Sequence, residues 1–421
     1  MKEKIFNWIN NSTDLAVELE TELTKRPAIS PDSGGEGELE KCLFLEEWLK
    51  NHGITQLKRY DAPEDRAKGK VRPNLIAIIN GSDEQSDTES GCLWIMSHMD
   101  VVPPGEENLW NSDPWKVVKE IIVNNDSGKS LKLIGRGVED NQQGLVASVL
   151  AALSFTKQGF KPRRTIKLLF AADEEVGSKY GIEWLVKNHA NLFNKNDMVL
   201  VPDGGDPKGE YIEIAEKNII WARFVTHGKQ AHGSRPDTGV NAFIAGSDLA
   251  LRLFNELSNK FNDRDSLFDP DYSTFQPTKK EPNVPNVNTI PGEDVFYMDM
   301  RILPHYSTDL VLAEIENIKK EIEKKYNVTI EYTLPQLMSS KATDKDAFII
   351  KLLSKAITEV YDVQPKPVGI GGGTMAAALR NIGLNCAVWT KTQESLHQPN
   401  EYVLVDSILG DAKVMALLAM N

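Results

Sequence analysis

A histidine and an aspartate stand two residues apart at the end of an apolar run in IMSHMDVVPPG, residues 95–105. The run is typical of a short buried strand, and it ends at His98, with Asp100 and a Pro-Pro-Gly turn directly after it. A soluble chain has no packing reason to end a buried strand in these two side chains. His-x-Asp alone is a weak signal, so metal or acid–base chemistry here depends on partners elsewhere in the chain.

Further acidic and histidine residues follow the ends of other predicted elements: Asp140 before a helix pattern, Glu174 and Glu175 after TIKLLFA, Asp203 after DMVLVP, and His397 after NCAVWT. Ligands of open α/β sheets gather beyond the carboxyl ends of the strands, so these side chains can share one site. Singly, each has an ordinary interpretation, such as a helix N-cap for Asp140. Jointly, two histidines and three carboxylates suit two metal ions bridged by one carboxylate.

The elements that carry these residues alternate between strand and helix patterns over the first 200 residues. This alternation predicts an α/β fold with a mostly parallel sheet covered on both faces by helices. From residue 212 the strands alternate in the style of half-exposed antiparallel strands, with two helix patterns among them, and after residue 334 the α/β alternation resumes. We therefore predict a discontinuous catalytic domain, 1–211 and 335–421, with an inserted α+β domain at 212–334.

Composition narrows the class of protein. A chain of 421 residues exceeds what one core usually supports, which favours two domains. The net charge of −13 argues against nucleic acid or an anionic membrane as the partner. Three cysteines without C-x-x-C spacing, and an N-terminus without a signal peptide's apolar stretch, predict a cytoplasmic protein that does not span a membrane. Residues 80–91 predict a polar surface loop.

Eight motifs follow one another between residues 98 and 403, and their order is informative. They are His-x-Asp, DPW, GRGVEDN, ADEEVGS, PDGG, HGKQAHGSRPDTGVNA, NTIPGE…DMR and LHQPNEY. Together they resemble the dinuclear zinc family of acetylornithine deacetylase, succinyl-diaminopimelate desuccinylase, aminoacylase, carnosinase-type dipeptidases and glutamate carboxypeptidase. The resemblance implies a zinc-peptidase-like catalytic domain with an inserted lid and dimerisation domain. It also implies two divalent metal ions, zinc first, with cobalt or manganese as alternatives.

The resemblance assigns metal ligands: His98 and Asp203 to one ion, Glu175 and His397 to the other, and Asp140 as the bridge. Asp100 would hold the imidazole of His98 in its ligating tautomer, because residues i and i+2 of a strand face the same side. The peptide bond between Asp140 and Asn141 is cis in relatives, and we expect the same here.

Two further residues receive catalytic roles from the resemblance. Glu174 would be the general base that takes a proton from the attacking water and returns it to the departing amine. His232, in the inserted domain, would stabilise the tetrahedral oxyanion. The alternative for His232 is an ordinary surface histidine. In relatives the inserted domain also forms homodimers, and this histidine can come from the partner subunit.

Substrate-binding residues follow from the same resemblance. Arg301 matches an arginine that clamps the substrate carboxylate, and Asn288 matches a substrate-contacting asparagine. The glycine-rich GIGGGT, which includes Gly373 and Thr374, precedes a helix pattern and could hold an anion with its backbone N–H groups. The alternative for Arg301 is an ion pair with Asp299 inside its own sheet. Many relatives carry an aspartate at Met375 and a lysine at Gln142, which puts the substrate in doubt and leaves the chemistry unchanged.

The leading hypothesis is a metal-dependent hydrolase that cleaves the amide bond of N-acyl amino acids or short peptides with a free carboxylate. Acetylornithine or succinyl-diaminopimelate deacylation is the first expectation, and dipeptidase or carboxypeptidase activity is the alternative. Two-metal phosphoester hydrolysis would need several basic residues around the phosphate, which the motifs do not supply. A catalytically silent binding protein on this scaffold would need no general base, so Glu174 argues against it.

Overall fold

The computed structural model describes residues 1–82, 91–124 and 128–421. Most of the loop expected at 80–91 lies outside these residues. The chain divides into two compact units. Unit 1 comprises Met1–Ile214, Thr343–Pro367 and Thr374–Asn421, and unit 2 comprises Ala215–Ala342 and Val368–Gly373.

Unit 2 thus starts close to the inserted segment proposed from the sequence and extends past its expected end at residue 334. Residue 334 falls inside a strand, Thr329–Met338, that pairs with another strand of this unit along most of its length. The return at 368–373 joins unit 2 through backbone and side-chain contacts. The amide of Lys217 donates to the carbonyl of Ile370, and Arg301 donates to the carbonyl of Gly371.

The main sheet has eight strands, numbered here in chain order: β1 (Leu57–Pro63), β2 (Val71–Ile79), β3 (Leu93–His98), β6 (Ile166–Ala171), β7 (Met198–Gly205), β8 (Tyr211–Glu216), β15 (Lys366–Ile370) and β16 (Asn385–Thr390). All belong to unit 1 except the last residues of β8 and β15, which follow its boundaries at Ile214 and Pro367. Their spatial order is β1-β2-β6-β3-β7-β16-β8-β15. The central strands β6, β3, β7 and β16 are parallel, and β3 is buried along its whole length. This is the pattern of a sheet covered on both faces.

The sheet is mixed, where the sequence pattern predicted a mostly parallel one. Strands β1 and β2 are antiparallel to each other, β2 is antiparallel to β6, and β8 is antiparallel to β16. The connection between β1 and β2 covers only residues 64–70, and a parallel pair needs a crossover of a dozen residues or more. The α/β class itself is confirmed, with parallel strands at the centre and antiparallel strands toward both sides.

Helices pack around this sheet: α1 (Lys2–Asn10), α2 (Thr13–Thr24), α3 (Leu39–His52), α4 (Gly144–Lys157), α5 (Ile182–Asn188), α8 (Phe348–Tyr361), α9 (Ala376–Asn381) and α10 (Val405–Met420). Helix α4 is buried on all sides from Gly144 to Phe155, which accounts for its nearly continuous apolar sequence. A separate three-stranded sheet has the order β17 (Tyr402–Leu404), β5 (Gly128–Ile134), β4 (Val118–Asn124).

Unit 2 is an antiparallel sheet with two long helices. Its strands are β9 (Asn218–His227), β11 (Thr274–Lys280), β13 (Glu293–Ile302) and β14 (Thr329–Met338), in the order β11-β13-β9-β14. Helices α6 (Ala242–Lys260) and α7 (Thr308–Tyr326) bury one face each in a common apolar core with the sheet. A short ladder pairs β10 (Ala231–His232) with β12 (Thr289–Ile290). The helices begin at Asn241 and Ser307, whose side chains accept the cap hydrogen bonds.

The three cysteines form no disulfide within the described residues, and all three are buried in unit 1. Cys42 lies in α3, Cys92 directly precedes β3, and Cys386 lies in β16. Among the described residues, no helix combines the length and the apolar character that crossing a bilayer requires.

Candidate metal centre

The centre lies at the carboxyl ends of adjacent parallel strands in unit 1. His98 is the last residue of β3 and pairs in register with Ala171, the last residue of β6. The chain then turns, and Glu174 and Glu175 follow within four residues. Asp203 lies near the end of β7, the other neighbour of β3. Because the carboxyl ends of parallel strands meet at one edge of the sheet, these side chains converge.

Asp140 reaches two histidines, one with each carboxylate oxygen. Its Oδ1 lies 3.0 Å from Nε2 of His98, and its Oδ2 lies 3.0 Å from Nε2 of His397. Asp203 Oδ1 lies 3.5 Å from the same atom of His98, and Glu175 Oε2 lies 3.1 Å from the same atom of His397. The donor atoms therefore form two groups that share Asp140. We call them the first group (His98, Asp140, Asp203) and the second group (Asp140, Glu175, His397).

Asp100 supports the centre in two ways. The Nδ1 atom of His98 lies 3.0 Å from the backbone carbonyl of Asp100 and 3.5 Å from its carboxylate. The carboxylate itself accepts hydrogen bonds from the backbone amides of Glu174 and Glu175, both at 3.0 Å. Orientation of His98 by Asp100 thus involves the main chain first, while the side chain fixes the turn that carries the two glutamates.

Asn141 ties the ligands of the first group together, a role that the sequence patterns did not reveal. Its Oδ1 accepts from the amide of His98 at 3.2 Å, and its Nδ2 donates to Asp203 Oδ1 at 2.8 Å and to the carbonyl of Pro202 at 2.6 Å. The peptide bond between Asp140 and Asn141 is cis, which confirms that expectation. Gly144 starts α4 directly against Pro202, where a Cβ atom would lie 2.4 Å from the carbonyl oxygen.

Glu139 and Glu401 are the other supporting residues that were missed. Glu139 is next to Asp140 in GRGVEDN, and Glu401 follows His397 in LHQPNEY, so both stood inside motifs that were recognised. The available signal was an acidic residue in each motif in addition to the residue already assigned as a ligand. Both side chains are buried. A buried carboxylate needs partners, and here the partners are backbone amides of the ligand-bearing segments.

The crowded carboxylates of the centre favour the binding of positive charge. Burial and then the nearby Asp203 raise the pKa of Glu174 well above its usual range. Burial and then Asp140 raise the pKa of Glu175 to about 7. Burial would lower the pKa of His98, but the carboxylates of Asp203, Asp100 and Asp140 outweigh it and raise that pKa. Concentrated negative charge of this kind, with imidazole nitrogens among the carboxylates, fits divalent metal ions of the zinc type.

His397 and Asp140 are tuned by each other. Hydrogen bonds with Asp140 and Glu175 raise the pKa of His397 to about 10. Burial would raise the pKa of Asp140, but its hydrogen bonds with His397 and His98 hold that pKa well below the usual range. The carboxylate of Glu174 makes no hydrogen bond or ion pair within the described residues, so it is available for a water molecule or a substrate.

Unit 2 brings His232 and Asn288 together. His232 pairs with Thr289 across the short ladder, and the next amide, that of Gly233, donates to the carbonyl of Asn288 at 2.7 Å. The amide of Ser234 donates to Nδ1 of His232 at 3.1 Å. The hydroxyl of Ser234 lies 2.8 Å from the same nitrogen. With Nδ1 as the acceptor of these contacts, Nε2 is the ring nitrogen left to donate. His232 is exposed and can donate from that atom.

Arg301 is paired within unit 2. Its guanidinium makes two hydrogen bonds to Asp299, at 2.7 and 3.0 Å, and a third to the carbonyl of Gly371 at 2.8 Å. This is the contact of the alternative interpretation, and binding of a substrate carboxylate by Arg301 stays a prediction. The hydroxyl of Thr374 accepts from the amide of Ala376 at 3.1 Å. Helix α9 has only six residues, so its start provides little dipole for an anion.

Comparison with known proteins identifies related sequences and a related fold. Residues 94–421 match the family model described as peptidase family M20/M25/M40. An uncharacterized metallohydrolase of Methanococcus maripaludis is 39% identical over 420 residues, which is 95% of this chain and 97% of that protein. A succinyl-diaminopimelate desuccinylase of Rickettsia bellii is 24% identical over 90% of each chain. The fold is similar to the di-peptidase Dug1p of Saccharomyces cerevisiae, with a TM-score of 0.73 and 17% identity, over 100% of this chain and 98% of that one.

The chain belongs to the peptidase family M20/M25/M40. It is therefore a metallohydrolase of the peptidase and amidohydrolase kind, and use of two metal ions is typical of that family. The family resemblance drawn from the ordered motifs is confirmed.

Proposed function

We propose that this protein hydrolyses the amide bond of an N-acyl amino acid or a short peptide that carries a free carboxylate, with two divalent ions as cofactors. The observation that supports this most directly is Asp140, whose two oxygens lie 3.0 Å from two histidines of separate ligand groups. A carboxylate in this position suits a bridge between two ions. Zinc fits the mixed imidazole and carboxylate donors, and cobalt or manganese are the alternatives.

Divalent ions held by these residues would supply a Lewis acid for the scissile carbonyl and would lower the pKa of a bound water molecule. Of the protein's own residues, Glu174 would accept the proton of that water on its carboxylate and pass it to the amine that leaves. Its backbone amide is held by Asp100, which limits the positions that the carboxylate can reach. A carboxyl whose burial raises its pKa is suited to both halves of this proton transfer.

His232 would donate a hydrogen bond from Nε2 to the oxyanion that forms on the carbonyl oxygen. The hydrogen bond from Ser234 supports this role, because it sets the tautomer that leaves the proton on Nε2. Asn288, its neighbour on the same ladder, would contact the substrate beside it. The oxyanion donor acts within one chain or across a homodimer formed by unit 2.

Arg301 would bind the substrate carboxylate by exchanging its present partner, Asp299. Two parallel hydrogen bonds to a carboxylate are what the guanidinium already makes there, so the geometry for a carboxylate ligand exists. Arg301→Ala should weaken turnover of the free acid roughly 10–100-fold, as expected for a charged hydrogen-bond pair. The loss should be much smaller on a substrate whose carboxylate is amidated, and equal losses on both would contradict the assignment.

Deacylation of N-acyl or N-succinyl amino acids is our first choice of reaction, and dipeptidase or carboxypeptidase activity is the second. The sequence similarity to a desuccinylase supports the first, and the fold similarity to a di-peptidase supports the second. The test is a full-length protein freed of metal by chelation, then reconstituted with zinc, cobalt or manganese. It is assayed on N-acyl amino acids, dipeptides and a phosphodiester.

Metal-dependent release of the amine from either amide class is the expected result. Phosphodiester cleavage without amide cleavage would overturn the proposal in favour of a phosphoesterase. Uptake of two ions without any turnover would indicate a binding protein on this scaffold.

A further inference from the structure

Asp140 and His397 lie in two separate segments of unit 1. Each segment contains a glutamate whose carboxylate accepts hydrogen bonds from backbone amides of the other segment. We call residues 136–141, which contain Asp140, the bridging segment, and residues 393–402, which contain His397, the histidine segment. They are about 260 positions apart in the chain. Neither of the two carboxylates forms a hydrogen bond with a ligand side chain among the described residues, so both act through the main chain.

Glu401, in the histidine segment, accepts hydrogen bonds from backbone amides of the bridging segment. Its Oε1 accepts from the amides of Glu139 at 2.9 Å and Asp140 at 3.0 Å, and its Oε2 accepts from the amide of Gly137 at 3.0 Å. The guanidinium of Arg136 pairs with the same carboxylate at 2.6 Å. The main chain that leads into the bridging carboxylate is thus anchored at three of its amides.

Glu139, in the bridging segment, does the same in the opposite direction. Its Oε2 accepts from the amide of Ser395 at 2.8 Å and from the hydroxyl of that serine, and its Oε1 accepts from the amide of Gln393. The serine oxygen in turn accepts from the amide of Tyr402 at 3.0 Å, directly after Glu401. The turn that carries His397 is therefore held at both of its ends.

Both carboxylates of these contacts are buried, which is unfavourable without hydrogen bonds. Glu139 is 3% exposed and Glu401 is fully buried. A buried carboxylate without hydrogen bonds is costly, and each of these two is compensated by donors of the opposite segment. The pair is therefore stable only while the two segments keep their present separation. That separation also sets the distance between Asp140 and His397.

We propose that Glu139 and Glu401 form a reciprocal clasp that sets the second group before an ion binds, and that they are positioning residues for metal binding. The inference rests on the proposed two-metal centre. Glu139 holds only the turn of His397, so its loss should weaken the second ion alone. Glu401 holds the main chain of Asp140, which belongs to both groups, so its loss should weaken both ions.

The experiment measures stepwise cobalt binding to the full-length, metal-free protein by calorimetry, with the visible absorption of cobalt as a second readout. We expect two ions in the unmodified protein. Glu139→Gln should weaken the second ion about 10–100-fold and leave the first unchanged, because outer partners of metal ligands contribute affinity of this size. Glu401→Gln should weaken both ions and alter the absorption of both.

Asp197→Asn is the matched control. The carboxylate of Asp197 accepts from the amides of Cys92 and Asn194 at 2.7 and 2.9 Å, and from the indole of Trp94 at 2.8 Å. It is buried in the same unit, but it lies just before β7, at the opposite end of the strands from the ligands. Its variant should lose thermal stability and keep both cobalt affinities.

Ser395→Ala is a milder variant for use if the glutamine variants do not fold. It removes the hydroxyl between Glu139 and Tyr402, and it should weaken the second ion about 2- to 12-fold, the equivalent of one hydrogen bond. Unchanged affinities in the clasp variants would overturn the inference. So would equal weakening in Asp197→Asn, since that indicates general destabilisation. Failure of the unmodified protein to bind two ions would instead contradict the proposed function.

Discussion

The two ligand groups differ in how much of their surroundings the protein supplies. The side chain of His98 in the first group is 0% exposed, whereas that of His397 in the second group is 55% exposed. His98 ends a central strand, but His397 lies in a turn with a left-handed backbone, φ +60°. A donor on a buried strand loses little freedom when an ion binds, and an exposed turn loses more. This difference predicts that the first group binds its ion more tightly than the second.

This asymmetry also explains where the supporting contacts lie. In the first group, Asn141 directly contacts the main chain of His98 and the carboxylate of Asp203. In the second group, Glu139 holds the turn around His397, while Glu401 holds the main chain of Asp140, which both groups share. Rigid elements position ligands by themselves, and turns need additional hydrogen bonds for the same precision.

The largest expected effect tests whether chemistry can be removed without changing either group. Glu174→Gln should lower kcat by about 10²–10⁴-fold or more, because the amide cannot accept a proton from water. Both ions should still bind, since Glu174 belongs to neither group. Metal analysis beside steady-state kinetics measures both quantities. Near-native turnover in this variant would remove Glu174 from the mechanism.

A second test separates the groups by metal removal. With free ion at 1,000 times its dissociation constant, one bound ion stabilises the folded state by about 4 kcal/mol. A chelator titration followed by thermal unfolding should therefore show two steps, with the ion of the exposed second group lost first. A single step for both ions would mean that the different exposure of His98 and His397 does not produce different metal affinities.

A third test aims to make the two groups alike. Asn141→Ala removes the contacts to His98, Pro202 and Asp203, and it should weaken the first ion roughly 10–100-fold while the second is less affected. Stepwise cobalt binding measures this directly. If the second ion weakens more than the first, the assignment of Asn141 to the first group is wrong.

The smallest expected effect uses a buried carboxyl outside both groups. Burial raises the pKa of Asp411 to about 6, against hydrogen bonds from Thr390, Tyr361 and Gln143. Between about pH 4 and 6, Asp411 is therefore protonated in the folded state and ionised in the unfolded chain. The unfolding free energy should therefore fall across this window as the pH rises, by about 1–2 kcal/mol. Asp411→Asn should remove this slope, whatever its effect on overall stability, and an unchanged slope would rule out Asp411 as its source.

The proposed metal ligands were accessible from sequence because their types are unusual for the positions that they occupy. A histidine or a carboxylate at the end of an apolar strand pattern is conspicuous, and parallel strands carry all such ends to one edge. The structure places His98, Asp140, Glu175, Asp203 and His397 in two groups of neighbouring donor atoms, and their role as metal ligands stays a prediction. The α/β class was predictable for the same reason, since it follows from alternation alone.

The supporting residues were not accessible from sequence, because their function lies in contacts with distant main chain. Nothing in the letters around Glu401 indicates that its partners are the amides at 137–140. The antiparallel outer strands were also missed, because alternation of strand and helix patterns does not show which strands become neighbours in the sheet. Arg301 illustrates a third difficulty, since its ion pair with Asp299 and its proposed substrate contact use the same geometry.

The three buried thiols allow the opening of unit 1 to be followed by chemical labelling. Unit 2 contains no cysteine in its sequence, so any reaction with a thiol reagent reports only on unit 1. Cys42, Cys92 and Cys386 are at most 1% exposed, and burial raises the pKa of Cys42 to about 12. Labelling therefore requires the surrounding structure to open. Mass spectrometry of the labelled thiols, with and without ions, would time the opening of helix α3, the start of β3 and β16 separately.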